Sequence, residues 1–190
     1  MSDTLPDADQ IRSAKEVAER SLALFTIIGL SFGSDRTEIS AWLQQNDLWR
    51  ALSPRELGFI DSPSPSRQVM IDAQWNTEAL IVLLWALGLI DKMPRADEQC
   101  DPLVFQELLP PYADFGVREF FQAAKLRPEN ELMAYADECL RLHWEARDAK
   151  LRKGAPRVPV DIEIIQERHR AINWVVGYDG APWDEVTADT

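Results

Sequence analysis

The two histidines of this chain interrupt apolar helical faces, and histidine is the side chain that most readily exchanges a proton near neutral pH. His143 shares a face with Cys139, and His169 lies between Ile165 and Ile172, in each case at helical spacing. A short connector joins the two helices, so we expect them to pack antiparallel. Each histidine then lies about 12 Å from the turn. The spacing therefore predicts that the two imidazoles face each other.

Two charged residues also lie on apolar helical faces. Glu78 shares its face with Trp75, and Arg20 shares its face with Leu24. A lone buried charge costs several kcal/mol, so each of these side chains needs a partner. We expect Glu78 to pair with Arg20 or with Arg147.

Three further charged residues of the last two long helices complete the group. Asp148 and Glu167 are the carboxylates we expect to orient the imidazoles, and Arg168 lies at the border of its helix's apolar face. The predicted polar cluster comprises Arg20, Glu78, His143, Arg147, Asp148, Glu167, Arg168 and His169.

Three interpretations of this cluster remain open. The first is a buried hydrogen-bonded network that fixes helix packing. The second is a pocket whose guanidinium groups bind a carboxylate or phosphate. The third is a catalytic or metal site, with a histidine as general base or two histidines and one carboxylate as ligands. The chain has no phosphate loop, GxSxG, HExxH, paired CxxC or EF-hand motif. The sequence therefore assigns no catalytic residue, cofactor or metal ligand.

Helical periodicity and helix-ending residues dominate the chain, so the predicted fold class is all-α. We expect one domain over residues 1–190, an irregular multi-helix bundle around a buried central helix. The Ser53-Pro54-Arg55-Glu56 segment reads as a capping box that opens a short helix. The predicted longer helices span about 7–32, 37–46, 66–87, 128–152 and 161–176, with short helices near 103–109 and 117–124.

The charge balance limits the classes of partner. The chain has 20 basic and 32 acidic residues, a net charge of −12, which disfavours nucleic acids and anionic membranes and suits either solubility or a basic protein partner. Residues 141–157 are the exception, with an excess of positive charge that is a candidate docking patch. The acidic start of the chain does not resemble a signal peptide, and Cys100 and Cys139 form no CxxC pair. We therefore expect a cytoplasmic protein with reduced thiols.

The tryptophans are expected to pack mostly in the core, because all seven have apolar neighbours in the sequence. Trp183 differs, since it lies in a polar tail after a turn. We expect Trp183 and the adjacent Asp184 to attach this tail to the body of the protein or to a partner.

Four segments together resemble the domain of unknown function 4272 family: LLWALG at 83–88, LHWEARDAKL at 142–151, ERHRAINWVVG at 167–177 and WDEVTADT at 183–190. The resemblance implies a compact helical fold found mainly in bacteria, and it supplies no activity. The family's motif residues overlap the polar cluster predicted from helical spacing, and this agreement favours their acting together. These residues are His143, Trp144, Arg147, Asp148, Glu167, Arg168, His169, Trp174, Trp183 and Asp184.

The leading functional hypothesis is a non-catalytic protein-interaction or binding protein, with a basic protein as its partner. The alternative is an enzyme, or a protein that binds a small ligand or metal, with a polar pocket between the last two long helices. A third possibility is an assembly role with an exposed tryptophan at a subunit interface. The sequence leaves the oligomeric state open.

Overall fold

The computed structural model describes residues 10–190 and confirms the all-α prediction. Within these residues there is no β-strand. Single turns of 3-10 helix lie at Trp49–Ala51 and Tyr178–Gly180. The α-helices are α1 Ala14–Ser31, α2 Arg36–Gln45, α3 Pro54–Asp61, α4 Arg67–Ala86, α5 Val104–Leu108, α6 Val117–Ala123, α7 Glu129–Leu151 and α8 Ile162–Val176.

Side-chain caps set several of the helix ends. The predicted capping box at α3 is present, with Ser53 and Glu56 each bonding the backbone of the other. Ser13 forms a second capping box, so α1 begins at Ala14 rather than near residue 7. The predicted turns before Ala14 lie partly in residues 1–9, outside the described residues. Gly177 ends α8 in the left-handed region, at φ +79°, which glycine adopts without steric cost.

Helix α4 is the centre of the bundle, as predicted. Its last turns, from Ala79 to Ala86, are buried all round, and α4 packs against α1 on one side and α8 on another. Helix α7 packs principally on α8 and therefore lies at the edge of the bundle. One long face of α7 is consequently left without a neighbouring helix.

None of the helices in residues 10–190 combines the length and the apolar character needed to cross a lipid bilayer.

Candidate functional site

The structure brings the two histidines together between α7 and α8. The Nδ1 atoms of His143 and His169 lie 3.2 Å apart, the ring planes are nearly perpendicular, and each residue is 3% exposed. One ring must donate through Nδ1–H while the other accepts at Nδ1, so the accepting ring carries its proton on Nε2. The contact therefore requires the two imidazoles to adopt opposite tautomers.

Both imidazoles are held in the neutral form. Burial lowers the pKa of His143, and the nearby Arg147 guanidinium lowers it further. Burial, with a contribution from His143, lowers the pKa of His169 to about 4, although the Asp189 carboxylate acts in the opposite direction. At neutral pH the pair is thus an uncharged polar contact inside an apolar helix interface.

The prediction that Asp148 and Glu167 orient the two imidazoles is wrong. Asp148 accepts a hydrogen bond from Nε of Arg152 at 2.7 Å, and Glu167 accepts one from Nη2 of Arg170 at 3.0 Å. In each case an arginine about one turn further along the same helix is within reach, a pairing that helix geometry favours. The carboxylates are used on the surface of their own helices and do not reach the histidines.

Glu78 is buried and paired, but not with either partner expected from the sequence. Its Oε2 accepts from Nε of Arg168 at 2.8 Å, and its Oε1 accepts from the backbone N–H of Cys100 at 2.7 Å. Arg168 is 1% exposed and also donates to the carbonyl oxygens of Pro94 and Arg95. This ion pair joins α4 and α8 to the irregular segment before α5. Nη2 of Arg168 lies 2.8 Å from the same Glu78 oxygen but forms no hydrogen bond with correct geometry among residues 10–190.

Arg20 pairs with a carboxylate that the sequence analysis did not select. Its Nη2 donates to Oε2 of Glu56, the oxygen that also accepts the backbone N–H of Ser53 in the α3 capping box. The remaining oxygen of Glu56 and Nε of Arg20 are buried without a partner among residues 10–190. A capping residue therefore also neutralises the buried Arg20.

Trp183 attaches the tail to the body of the protein. The Arg20 and Arg170 guanidiniums lie 5.0 and 4.6 Å from the centre of its ring, and Trp174 meets it edge-on at 5.3 Å. The adjacent Asp184 accepts from the backbone N–H of Arg55 at 3.0 Å, at the start of α3. Of the two attachments considered for this tail, the structure shows the one to the body.

Arg147 lies near the histidines but binds the end of the tail. Its Nη1 donates to the carbonyl and hydroxyl oxygens of Thr190 at 2.8 and 2.6 Å. His143, Arg147, Lys150 and Asp189 line an open pocket of about 460 Å³ beside the histidine pair. Six members of the predicted polar cluster are therefore divided into three arrangements: the histidine pair with Arg147, the Glu78–Arg168 pair, and Arg20 with Glu56. The other two, Asp148 and Glu167, pair with arginines on their own helices.

The metal hypothesis requires two histidines and one carboxylate as ligands, and no carboxylate completes such a set with the histidine pair in the described residues. In the part of the chain that the structure describes, no three His, Cys, Asp or Glu side chains converge as a metal site would require. Cys139 is buried, and burial raises the pKa of its thiol to about 12, which makes it a poor nucleophile and ligand.

The uncovered face of α7 carries an apolar stripe that the sequence analysis missed. Met133, Leu140, Trp144 and Leu151 follow one another at intervals of seven, four and seven residues. At 3.6 residues per turn they lie within about 20° of one line, over about 27 Å. All four are between 44% and 81% exposed. We call these residues the α7 stripe.

The charges are segregated along α7. The N-terminal half, residues 129–140, has four exposed carboxylates and no basic residue: Glu129, Glu131, Asp137 and Glu138. At 3.6 residues per turn, Glu129 and Asp137 lie within about 40° of the α7 stripe, whereas Glu131 and Glu138 lie on the far side of the helix, and Glu131 pairs with Arg127 at 3.1 Å. The C-terminal half and the residues after it have exposed cations: Arg141, Arg147, Lys150, Arg152 and Lys153. We call these the acidic half and the basic half of α7.

The fold and these surfaces define an all-helical protein with a few buried polar contacts in an apolar core and an apolar row on the exposed face of α7. A family model described as a domain of unknown function (DUF4272) matches residues 5–186. The chain belongs to that family. Neither the curated proteins nor the solved structures contain a match.

Proposed function

We propose that this protein is a non-catalytic interaction protein that binds a partner protein through the α7 stripe. The observation that carries the proposal is the alignment of four large, exposed apolar side chains on a helix face that no other helix covers. Single exposed apolar residues are ordinary on protein surfaces. A contiguous apolar row with charged flanks is typical of an interaction site, and tryptophan is enriched among the residues that dominate binding energy.

The charges beside the α7 stripe specify the chemistry of the partner. A surface that covers Met133 and Leu140 also approaches Glu129 and Asp137, the two carboxylates of the acidic half that lie nearest the α7 stripe. The matching surface on the partner is therefore basic and apolar, which agrees with the net charge of −12. Complementary charge accelerates association, and screening by salt weakens that contribution.

Site-specific photo-crosslinking in cells tests this proposal. A photoreactive phenylalanine analogue replaces Trp144 in one variant and Leu103 in a matched control. Leu103 is 63% exposed and lies outside α7. We expect protein adducts at position 144 and far fewer at position 103. Equal adduct yields at the two positions would contradict the proposal.

A second candidate function uses the pocket beside the histidine pair. Arg147 and Lys150 supply positive charge there, which the Asp189 carboxylate partly offsets, and the neutral His143 forms part of the pocket wall. This combination suits a small ligand with a carboxylate or phosphate group, held by the cations and hydrogen-bonded to an imidazole. Arg147 already binds two oxygen atoms of Thr190, so such a ligand competes with the tail. This competition makes the pocket the weaker candidate.

Titration with inorganic phosphate and with acetate, followed by NMR of the histidine rings, tests the pocket. Saturable shifts that Lys150→Gln weakens and Lys153→Gln leaves unchanged would support it. A linear response, equal in the two variants, would contradict it.

We also propose a cytoplasmic location. The support is chemical, because Cys100 and Cys139 are both free thiols, and free thiols are typical of a reducing compartment. Fractionation of cells that express the full chain tests the location, and recovery outside the cytoplasm would contradict it.

A further inference from the structure

We infer that the partner on the α7 stripe is a second copy of this chain, with the two α7 helices antiparallel. This inference rests on the proposed function and specifies its partner. A single chain offers both surfaces that the contact requires, an apolar row and a charge pattern that complements itself.

The charge segregation along α7 determines the orientation. In an antiparallel pair, the acidic half of each helix lies beside the basic half of the other, so both ends of the contact are attractive. A parallel pair would place carboxylates beside carboxylates and cations beside cations. Like charges in contact across an interface are unfavourable and act against that arrangement. The basic surface that the acidic half needs is thus supplied by residues 141–153 of the second copy.

The spacing of the α7 stripe suits the same symmetry. A twofold interface uses the same patch on both subunits. Leu140 and Trp144 lie on either side of the middle of the row, so each approaches the other residue of the second copy near the twofold axis. Met133 and Leu151 lie at opposite ends, so each approaches the other residue of the partner. The apolar row is therefore continuous across an antiparallel pair.

The length of the row limits the strength of the contact. A strip about 27 Å long and about 10 Å wide, the diameter of a helix, covers about 270 Å², which is smaller than the roughly 800 Å² per partner of a standard stable interface. The dimer is therefore of the weak class, and its population depends on protein concentration.

Sedimentation equilibrium of the full chain over a wide concentration range tests the inference. We expect a reversible monomer–dimer equilibrium. Leu140→Glu and Trp144→Glu, at exposed sites where the fold tolerates them, should each weaken association at least tenfold. Leu103→Glu is the control and should associate as the unaltered chain does. Circular dichroism shows whether each variant is folded. A monomer at every concentration would overturn the inference, and so would association unaffected by Trp144→Glu.

Charge reversal tests the orientation. Glu129→Lys with Asp137→Lys makes the acidic half basic beside the α7 stripe, and Arg141→Glu with Arg147→Glu makes the basic half acidic there. Each pair of changes alone should weaken an antiparallel dimer, because it places like charges together. All four changes in one chain should restore association. If the combined variant stays as weak as either parent, the antiparallel arrangement is overturned.

The mass of the photo-crosslinked adduct at position 144 separates this inference from the proposed function. An adduct with the mass of two chains supports both. An adduct with a different protein, together with a monomeric purified chain, overturns the second-copy inference and leaves the proposed function standing. The absence of any adduct, together with a monomeric chain, overturns both.

Discussion

Acidification should destabilise this protein through the histidine pair, before most carboxylates titrate. The pKa of His169 is lowered from about 6.5 to about 4 because burial disfavours the imidazolium. The pKa of His143 is lowered for the same reason. In the unfolded chain both rings take up a proton near pH 6.5, whereas in the folded protein they take up a proton only at lower pH. The stabilising effect is therefore complete above pH 6.5 and is lost progressively as the pH falls toward about 4.

The structure sets the size of the effect. Between about pH 7.5 and pH 5, the lowered pKa of His169 alone reduces the free energy of unfolding by about 2 kcal/mol. Solvent in the adjoining pocket screens part of this effect, so we expect a loss of about 1–2 kcal/mol. His143 adds to this in the same direction. The chain has only two histidines, so no other imidazole contributes in this range.

Urea unfolding at the two pH values measures this loss in the unaltered chain and in the double variant His143→Leu/His169→Leu. We expect the free energy of unfolding of the unaltered chain to fall by about 1–2 kcal/mol more than that of the double variant. At neutral pH, each single variant should cost about 1–3 kcal/mol, since one polar ring loses its partner. The double variant should cost less than the sum of the two. An identical pH dependence in the unaltered chain and the double variant would refute the reasoning.

Two further predictions concern the other buried arrangements. Arg168→Met should lower the free energy of unfolding by about 3–5 kcal/mol, because it leaves the Glu78 carboxylate buried and unpaired, and Glu78→Leu/Arg168→Met should recover part of this loss. A double variant as unstable as Arg168→Met alone would count against the pair as the cause. Trp183→Ala should cost about 3–5 kcal/mol and make residues 181–190 more sensitive to limited proteolysis. The exposed neighbour change Glu185→Ala is its control, and an equal effect of the two changes on proteolysis would contradict the role given to Trp183.

Local signals predicted the elements of the fold well. Ser53 and Glu56 stand at capping-box spacing, and Gly177 follows the last apolar residue of α8, so these ends are readable in the sequence. The unbroken apolar run before Gly88 identified α4 as the buried centre. Each of these features depends on residues within a few positions of one another.

The partners of the buried charges depend on the tertiary structure and were not readable in this way. Periodicity places Glu78 on an inward face, but the rotation of α8 about its axis determines that Arg168 reaches it. Glu56 was recognised as a capping residue, and nothing local indicates that its carboxylate also meets Arg20. Asp148 and Glu167 do not orient the histidines because Arg152 and Arg170, about one turn further along, bind these carboxylates instead.

The α7 stripe was missed because α7 is apolar on two faces. Leu132, Cys139 and His143 mark the face that packs on α8, and Trp144 adjoins this face in the sequence. An apolar residue next to a core position is easily taken for a core residue. The face that packs on α8 and the α7 stripe are distinguished only by their angular positions around the helix. The row from Met133 to Leu151 is detectable in the sequence once its spacing is compared with 3.6 residues per turn.

Hydroxyl-radical footprinting of Trp144, in cells and in the dilute purified protein, tests the central claim most directly. Tyr112, at 62% exposure outside α7, is the internal reference. A covered α7 stripe predicts that Trp144 is oxidised readily in the dilute protein and is protected in cells, while Tyr112 reacts alike in both. Equal oxidation of Trp144 under the two conditions, relative to Tyr112, would show that the face stays open to solvent and would contradict the account.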